Sequence, residues 1–208
     1  MSSRFAQLAF TPGVQRHQRE NGSARAYRPL LDGPVVADRL GEAERQFVRQ
    51  RDSFYLASVG ETGWPYVQHR GGPPGFLKVV DDGTLGFADF RGNRQYITLG
   101  NLDHDNRVAL FLMDYGHQAR MKIMGRARAV EDPALLAGLT VPGYRAKVER
   151  AVLIEVEAFD WNCRQHIPRL VPLDAVEHTL TSLQERIAEL ERQNTELRRT
   201  GMTVPPGS

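Results

Sequence analysis

The sequence predicts a mainly β (α+β) protein: a six- to seven-stranded antiparallel barrel with short flanking helices, followed by one long helix of coiled-coil type. Three observations carry that expectation. Between residues 54 and 159, about seven short strand-like stretches follow one another closely. Few helical stretches separate them, which favours an antiparallel barrel over a parallel α/β sheet. After residue 172 the pattern changes to a strict heptad.

Composition bounds the rest. At 208 residues and 41% apolar content, the chain can form one domain with a real core plus a tail. The single cysteine, Cys163, excludes an intramolecular disulfide framework and any Cys-rich metal site. No apolar run approaches the ~18–20 residues of a membrane span. MSSRFAQLAF has no long apolar stretch of signal-peptide type, so a cytoplasmic protein is expected. Of 27 basic residues, only Lys78, Lys122 and Lys147 are lysines. Residues 1–51 hold nine basic and five acidic side chains, net +4; residues 52–160 hold 12 and 14, net −2; residues 161–208 hold six of each. No segment is basic enough to read as a nucleic-acid footprint.

The elements follow in order. Thr11-Pro12 reads as an N-cap with Pro at the first helical position, and Asn21-Gly22 as the stop. An Arg-rich loop is expected around residues 25–34, and a second helix over 41–51 with Phe47 and Val48 as its apolar contacts. FYLASV (54–59) and residues 64–70 are strands, with Pro65 near a strand start where it is tolerated. GGPPG (71–75) forbids regular structure. Residues 76–80 and 84–90 are strands joined by an Asp82-Gly83 hairpin turn. A short helix is expected over 93–102, then strands over 107–113 and 120–130. Asp132-Pro133 starts another helix through Leu135, Leu136 and Leu139. Residues 151–159 alternate Val152, Ile154 and Val156 with Glu155 and Glu157, as a half-exposed strand does. The expected divisions are an N-terminal arm over 1–51, the barrel over 52–170, the helix over 173–199 and a disordered tail over 200–208.

In the heptad, Leu173, Leu180, Ile187 and Asn194 occupy a positions, and Val176, Leu183, Leu190 and Leu197 occupy d positions. A lone Asn at a costs stability, but paired with its own copy it selects a parallel two-stranded register. Arg186 at g would face Glu191 at e of a second copy. The same seam would also serve a helix packed on its own barrel.

Known catalytic motifs are absent: there is no GxxxxGK[ST], HExxH or GxSxG. The six histidines are scattered, and no metal site is expected. One constellation reads as a site. Residues 86–96, GFADFRGNRQY, run from a strand end through Arg91-Gly92-Asn93-Arg94 into the expected helix. Free backbone N–H groups at a helix start, with two Arg forks and an Asn cap, make a phosphate cradle. A plain capped helix with surface arginines has the same pattern. Lys78, and Arg120 with Lys122 on one face of their strand, are expected to converge on that cradle; an exposed strand face is the alternative.

The order FYLASV, GWPYVQHR, FLKVVDDGTLGFADFRGNRQ, NRVALFLM, RMKIMGRARAV and EAFDWNCRQHIPR resembles the pyridoxamine 5′-phosphate oxidase superfamily, the FMN-binding split barrels, over roughly 150 residues. The resemblance implies a split barrel that works as a homodimer with flavin at the subunit interface, to which a parallel C-terminal coiled coil is suited. It places Phe87, Ala88 and Asp89 on the first part of the family's phosphate motif, and Asn93, Arg94 and Gln95 on its Ser-Arg-Lys part. Arg94 is then the phosphate clamp. Gln95 departs from the pattern because it lacks the Lys charge, which Arg91 would supply. Arg70 through Lys78 correspond to a basic family strand that GGPPG interrupts here. Arg120 stands where the family has Gln, with Lys122 two residues on. Trp161, Gln165 and His166 would form the far wall of the flavin, with Cys163 beside them on the substrate side.

The implied function is an FMN-dependent oxidoreductase acting on a small-molecule redox substrate. Pyridoxamine phosphate oxidation itself is not expected, because the C-terminal segment departs from that oxidase's ending. A non-catalytic flavin or heme carrier on the same barrel, a coiled-coil scaffold with a vestigial cleft, and a deazaflavin in place of FMN stay open.

Overall fold

Seven strands form one wholly antiparallel sheet in the computed structural model, which describes residues 3–161 and 165–201. The strands are β1 (Ser53–Val59), β2 (Pro65–Gly71), β3 (Lys78–Val79), β4 (Thr84–Phe90), β5 (Arg107–Asp114), β6 (Ala119–Val130) and β7 (Val148–Trp161). Their order across the sheet is β2-β1-β5-β6-β7-β4-β3. The helices are α1 (Arg4–Ala9), α2 (Pro12–Glu20), α3 (Ala24–Tyr27), α4 (Glu42–Arg49), α5 (Ile97–His104), α6 (Pro133–Leu139) and α7 (Leu173–Arg199). The chain divides into two compact units, Met1–Ile167 and Pro168–Ser208.

The sheet curls. Phe54 on β1 and Phe87 on β4 are four places apart in the strand order, roughly 19 Å if the sheet were flat. Their ring centroids lie 5.4 Å apart, edge to face. One core cluster therefore collects inward residues from most of the sheet: Phe54, Leu56, Leu85, Phe87, Leu110, Leu112, Met121, Ile123 and Ile154. Phe47 and Val48 of α4 close it, as the helix reading requires. A smaller cluster under α6 holds Ala88, Leu139, Ala151 and Leu153. Gly125 sits at a β-bulge against β7, where a Cβ would meet the Glu155 carbonyl oxygen at 2.4 Å.

Local signals place most boundaries. Thr11 Oγ1 accepts from the Val14 N–H and caps α2. The Ser23 N–H then donates to the Gln18 carbonyl and the Gly22 N–H to that of Arg19. With Gly22 at φ +77°, that is a Schellman stop. Asp132 Oδ1 accepts from the Ala134 and Leu135 amides and starts α6.

Four expectations need correction. Residues 25–34 are not only loop: α3 and a 3-10 turn at Arg28–Leu30 lie there, and α1 precedes them. Of residues 76–80 only Lys78–Val79 pair as strand, because Phe76 and Leu77 leave the edge to fill the core. β7 runs 14 residues, and over Ala151–Ile154 it is buried on both faces because α6 covers the outer one. The helix expected from Asn93 starts at Ile97, because Arg94 (φ 59°) and Tyr96 (φ 54°) take left-handed backbone conformations.

In the second unit, α7 runs 27 residues, and all eight heptad-seam residues are solvent-exposed. No helix among the described residues is long and apolar enough to cross a membrane.

Candidate functional site

Strand parity builds the site. Phe54 pairs with Arg70, Leu56 with Gln68 and Ser58 with Tyr66, so these three β2 residues share the inward face of the sheet. At the end of β4, Asp89 continues the inward series of Leu85 and Phe87. The chain then turns through residues 91–96 into α5. Asn93 Oδ1 accepts from the Gln95 N–H at 3.2 Å and fixes that turn. α5 is held against the barrel by Thr98 Oγ1 donating to Gln68 Oε1 at 2.8 Å and by Asn101 Nδ2 donating to Ser58 Oγ at 2.9 Å.

Tyr66, Arg70, Asp89, Asn93, Arg94 and Tyr96 thereby line one cleft of about 210 Å³, with Gln68, Gln95, Thr98 and Glu149. Its charges are layered. Arg70 Nη1 lies 2.6 Å from Asp89 Oδ1, and Arg150 Nε lies 3.9 Å from Asp89 Oδ2. Arg91 Nε donates to Glu149 Oε1 at 2.7 Å, and Arg150 Nη2 lies 3.4 Å from Glu149 Oε2. Burial pushes the Asp89 carboxyl above its ordinary value, against the pull of Arg70 and Arg150. The hydrogen bond from Arg91 draws Glu149 below its ordinary value.

Four guanidiniums (Arg70, Arg91, Arg94, Arg150) thus face two carboxylates, leaving two positive charges in excess. Arg94 has no ion pair among the described residues, and the buried Nε atoms of Arg70 and Arg150 have no hydrogen-bond partner. A buried donor without an acceptor costs about 1–3 kcal/mol. A phosphate, with nearly two negative charges and three acceptor oxygens, supplies what this donor set lacks.

Residues 40–171 match the family described as pyridoxamine 5′-phosphate oxidase. The chain belongs to this family. No curated protein matches the chain. Among solved structures, HupZ of Group A Streptococcus is similar at 15% identity and TM-score 0.49, covering 64% of this chain and 99% of that one. An FMN-binding protein from Syntrophomonas wolfei subsp. wolfei is similar at 9% identity and TM-score 0.47, covering 70% and 97%. An F420 reductase is similar at 18% identity and TM-score 0.44, covering 58% and 98%.

In this member of the pyridoxamine 5′-phosphate oxidase family, Arg70, Asp89, Asn93, Arg94 and Gln95 meet in the cleft, and Arg91 reaches it through Glu149. Ala88 lies in the core cluster under α6. The expected convergence of Lys78, Arg120 and Lys122 does not occur within one chain. Lys122 alternates with buried Met121 and Ile123, pairs across β5 with Phe111 and so with Tyr55, and faces outward. There it lies 3.6 Å from Asp160 and 4.9 Å from the Phe5 ring centroid. Arg120 shares that face, and Lys78, opposite Gly86, has the outward parity of β4. Arg70 and Asp89 have the inward parity, so the sheet itself separates the two sets.

The expected helix-start cradle is also revised, since Asn93 makes a turn rather than capping α5. Trp161 packs edge to face on Phe47 at 4.8 Å and donates to Glu44 at 2.8 Å. Gln165 and His166 are exposed, and Cys163 lies outside the described residues. Tyr66, Gln68, Tyr96, Thr98, Glu149 and Arg150 were not anticipated. The period-two spacing of Tyr66, Gln68 and Arg70 is a usable signal; nothing local marks Glu149 and Arg150.

Proposed function

We propose that the chain is a flavin-dependent oxidoreductase that holds the phosphate of FMN in the Arg70–Arg94 cleft and works as a homodimer. The observation that carries this reading is the Arg94 guanidinium on the cleft wall, unpaired among the described residues, while Arg91 and Arg150 already pair with the two carboxylates that line the cleft. When bound, the flavin supplies the two-electron chemistry, and the protein supplies position and electrostatics. Arg94 offers a bidentate fork to the phosphate. Asp89 holds Arg70 in place, so its donors are oriented before a ligand arrives. Tyr66 and Tyr96 give the cleft aromatic walls.

At about 210 Å³ the cleft is smaller than the roughly 300–1,000 Å³ of whole small-molecule sites, which suits a site completed by a second copy. Exposed Tyr55, Val59 and Val67 on the outer barrel face support such a pairing. So does the α7 seam, which we read as one half of a parallel coiled coil.

Purified protein should carry, or be reconstituted with, FMN and show flavin absorption. Binding of deazaflavin F420 but not FMN would reassign the cofactor within the same cleft. Bleaching by NADH or NADPH and reoxidation by an acceptor identifies an oxidoreductase, whereas bound flavin inert to both identifies a carrier. Protein that takes up neither flavin overturns the reading.

A further inference from the structure

The N-terminal arm builds a second basic cleft, remote in sequence from the first. The Schellman stop at Gly22 turns the chain so that α3 and the 3-10 turn follow α2 directly. Gln15, Gln18 and Arg19 lie at i, i+3 and i+4 on one stripe of α2, and Arg25 and Arg28 are one turn apart on the segment that follows. With Asp32 they line a cleft of about 680 Å³, within the range of small-molecule sites.

What distinguishes these arginines is their lack of partners. Residues 1–51 contain nine arginines. Six are engaged: Arg4 with Glu157, Arg16 with Glu20, Arg39 with Asp82, Arg49 with Glu42, Arg51 with Asp114 and Arg45 with the Leu40 carbonyl. The side chains of Arg19, Arg25 and Arg28 have no hydrogen bond or ion pair among the described residues, and all three line the same cleft. Like charges gathered without counterions repel one another, so the arrangement costs stability unless an anion joins it. Three guanidiniums and one carboxylate leave a double positive charge, matching a phosphate monoester. Asp32, which also has no partner, and the half-buried Gln18 can accept hydrogen bonds from hydroxyl groups.

We propose that this cleft is a binding site for a small phosphorylated compound bearing hydroxyl groups, with Arg19, Arg25 and Arg28 on the phosphate and Asp32 on the hydroxyls. The site does not depend on the flavin reading.

Calorimetric titration of the full chain carrying Arg94→Ala, which disables the first cleft without adding a competing phosphate ester, tests it with inorganic pyrophosphate and ribose 5-phosphate as probes. Both should bind, and raising salt from about 50 to 200 mM should weaken them about ten-fold. In that background Arg25→Ala/Arg28→Ala should weaken both at least about ten-fold, while Arg128→Ala, at an exposed arginine that lines neither cleft, leaves both unchanged. These arm residues are exposed, so the variants should fold normally, and circular dichroism checks that. Asp32→Asn should shift preference toward pyrophosphate. Absence of binding by either probe, or binding that survives the double substitution, overturns the proposal. Tighter binding of a polyglutamate peptide than of either phosphate overturns the small-ligand assignment in favour of an acidic protein segment.

Discussion

Arg70 Nη1 lies 2.6 Å from Asp89 Oδ1, and this ion pair joins β2 to β4, five places apart in the strand order. In a flat sheet they would be roughly 24 Å apart. The pair therefore ties the two sides of the split together beside the cleft. Arg70→Met should destabilise the protein by about 3 kcal/mol in urea unfolding, because it leaves the buried Asp89 carboxylate with only the longer contact to Arg150. Asp89→Asn in the same background should recover more than half of that.

The defect should also depend on pH. Because burial holds Asp89 above its ordinary value, the folded state binds its proton more tightly than the unfolded state does. Ionising it therefore costs stability as pH rises through that window. The Arg70→Met deficit should shrink as pH falls toward and below the raised value, and a deficit constant with pH would refute the assignment.

Arg94 combines an unpaired guanidinium with a left-handed backbone at φ 59°. Arg94→Gly should relieve about 1 kcal/mol of strain, raising the unfolding midpoint. Both Arg94→Gly and Arg94→Ala should lose flavin at least about ten-fold, measured by fluorescence titration. Full flavin affinity in both would show that the phosphate binds elsewhere.

The opposite sign is expected at Asp114. Burial raises it, but the His117 amide and Arg51 hydrogen bonds outweigh that and hold it below its ordinary value. Its contribution is present above the ordinary carboxylate range and is lost as pH falls through it. Asp114→Asn should cost about 2 kcal/mol at pH 7, since Arg51 Nη2 then loses a charged partner at 2.7 Å. Wild-type and variant melting curves should converge in acid.

If α7 pairs with a second copy as proposed, truncation after Val171 should weaken self-association in sedimentation experiments. Asn194→Leu should raise helix stability and loosen the two-stranded preference. Unchanged mass and melting in both variants would refute the proposed pairing of α7.

Gly125→Ala should destabilise the barrel by about 2 kcal/mol, because the added methyl meets backbone rather than a movable side chain. A neutral effect in thermal unfolding would mean that β7 shifts to accommodate it.

Turns and caps were legible in the sequence because their chemistry is local. Thr11-Pro12, Asn21-Gly22, Asp82-Gly83 and Asp132-Pro133 each carry their hydrogen-bond donors and acceptors within a few residues. The left-handed turn at Arg94 and Tyr96 was not legible, since neither residue type prefers that region.

The sequence by itself determined the antiparallel class, the order of its strands along the chain, the heptad register of α7 and the shared face of Arg120 and Lys122. Period-two and heptad spacing need no knowledge of neighbours. Tertiary structure alone decided which face that was. It turned Arg120 and Lys122 outward, Arg70 and Asp89 inward, and brought Glu149 and Arg150 beside them. Parity along a strand says which residues travel together; only the curl of the sheet, driven by burying Phe54 against Phe87, says where they arrive.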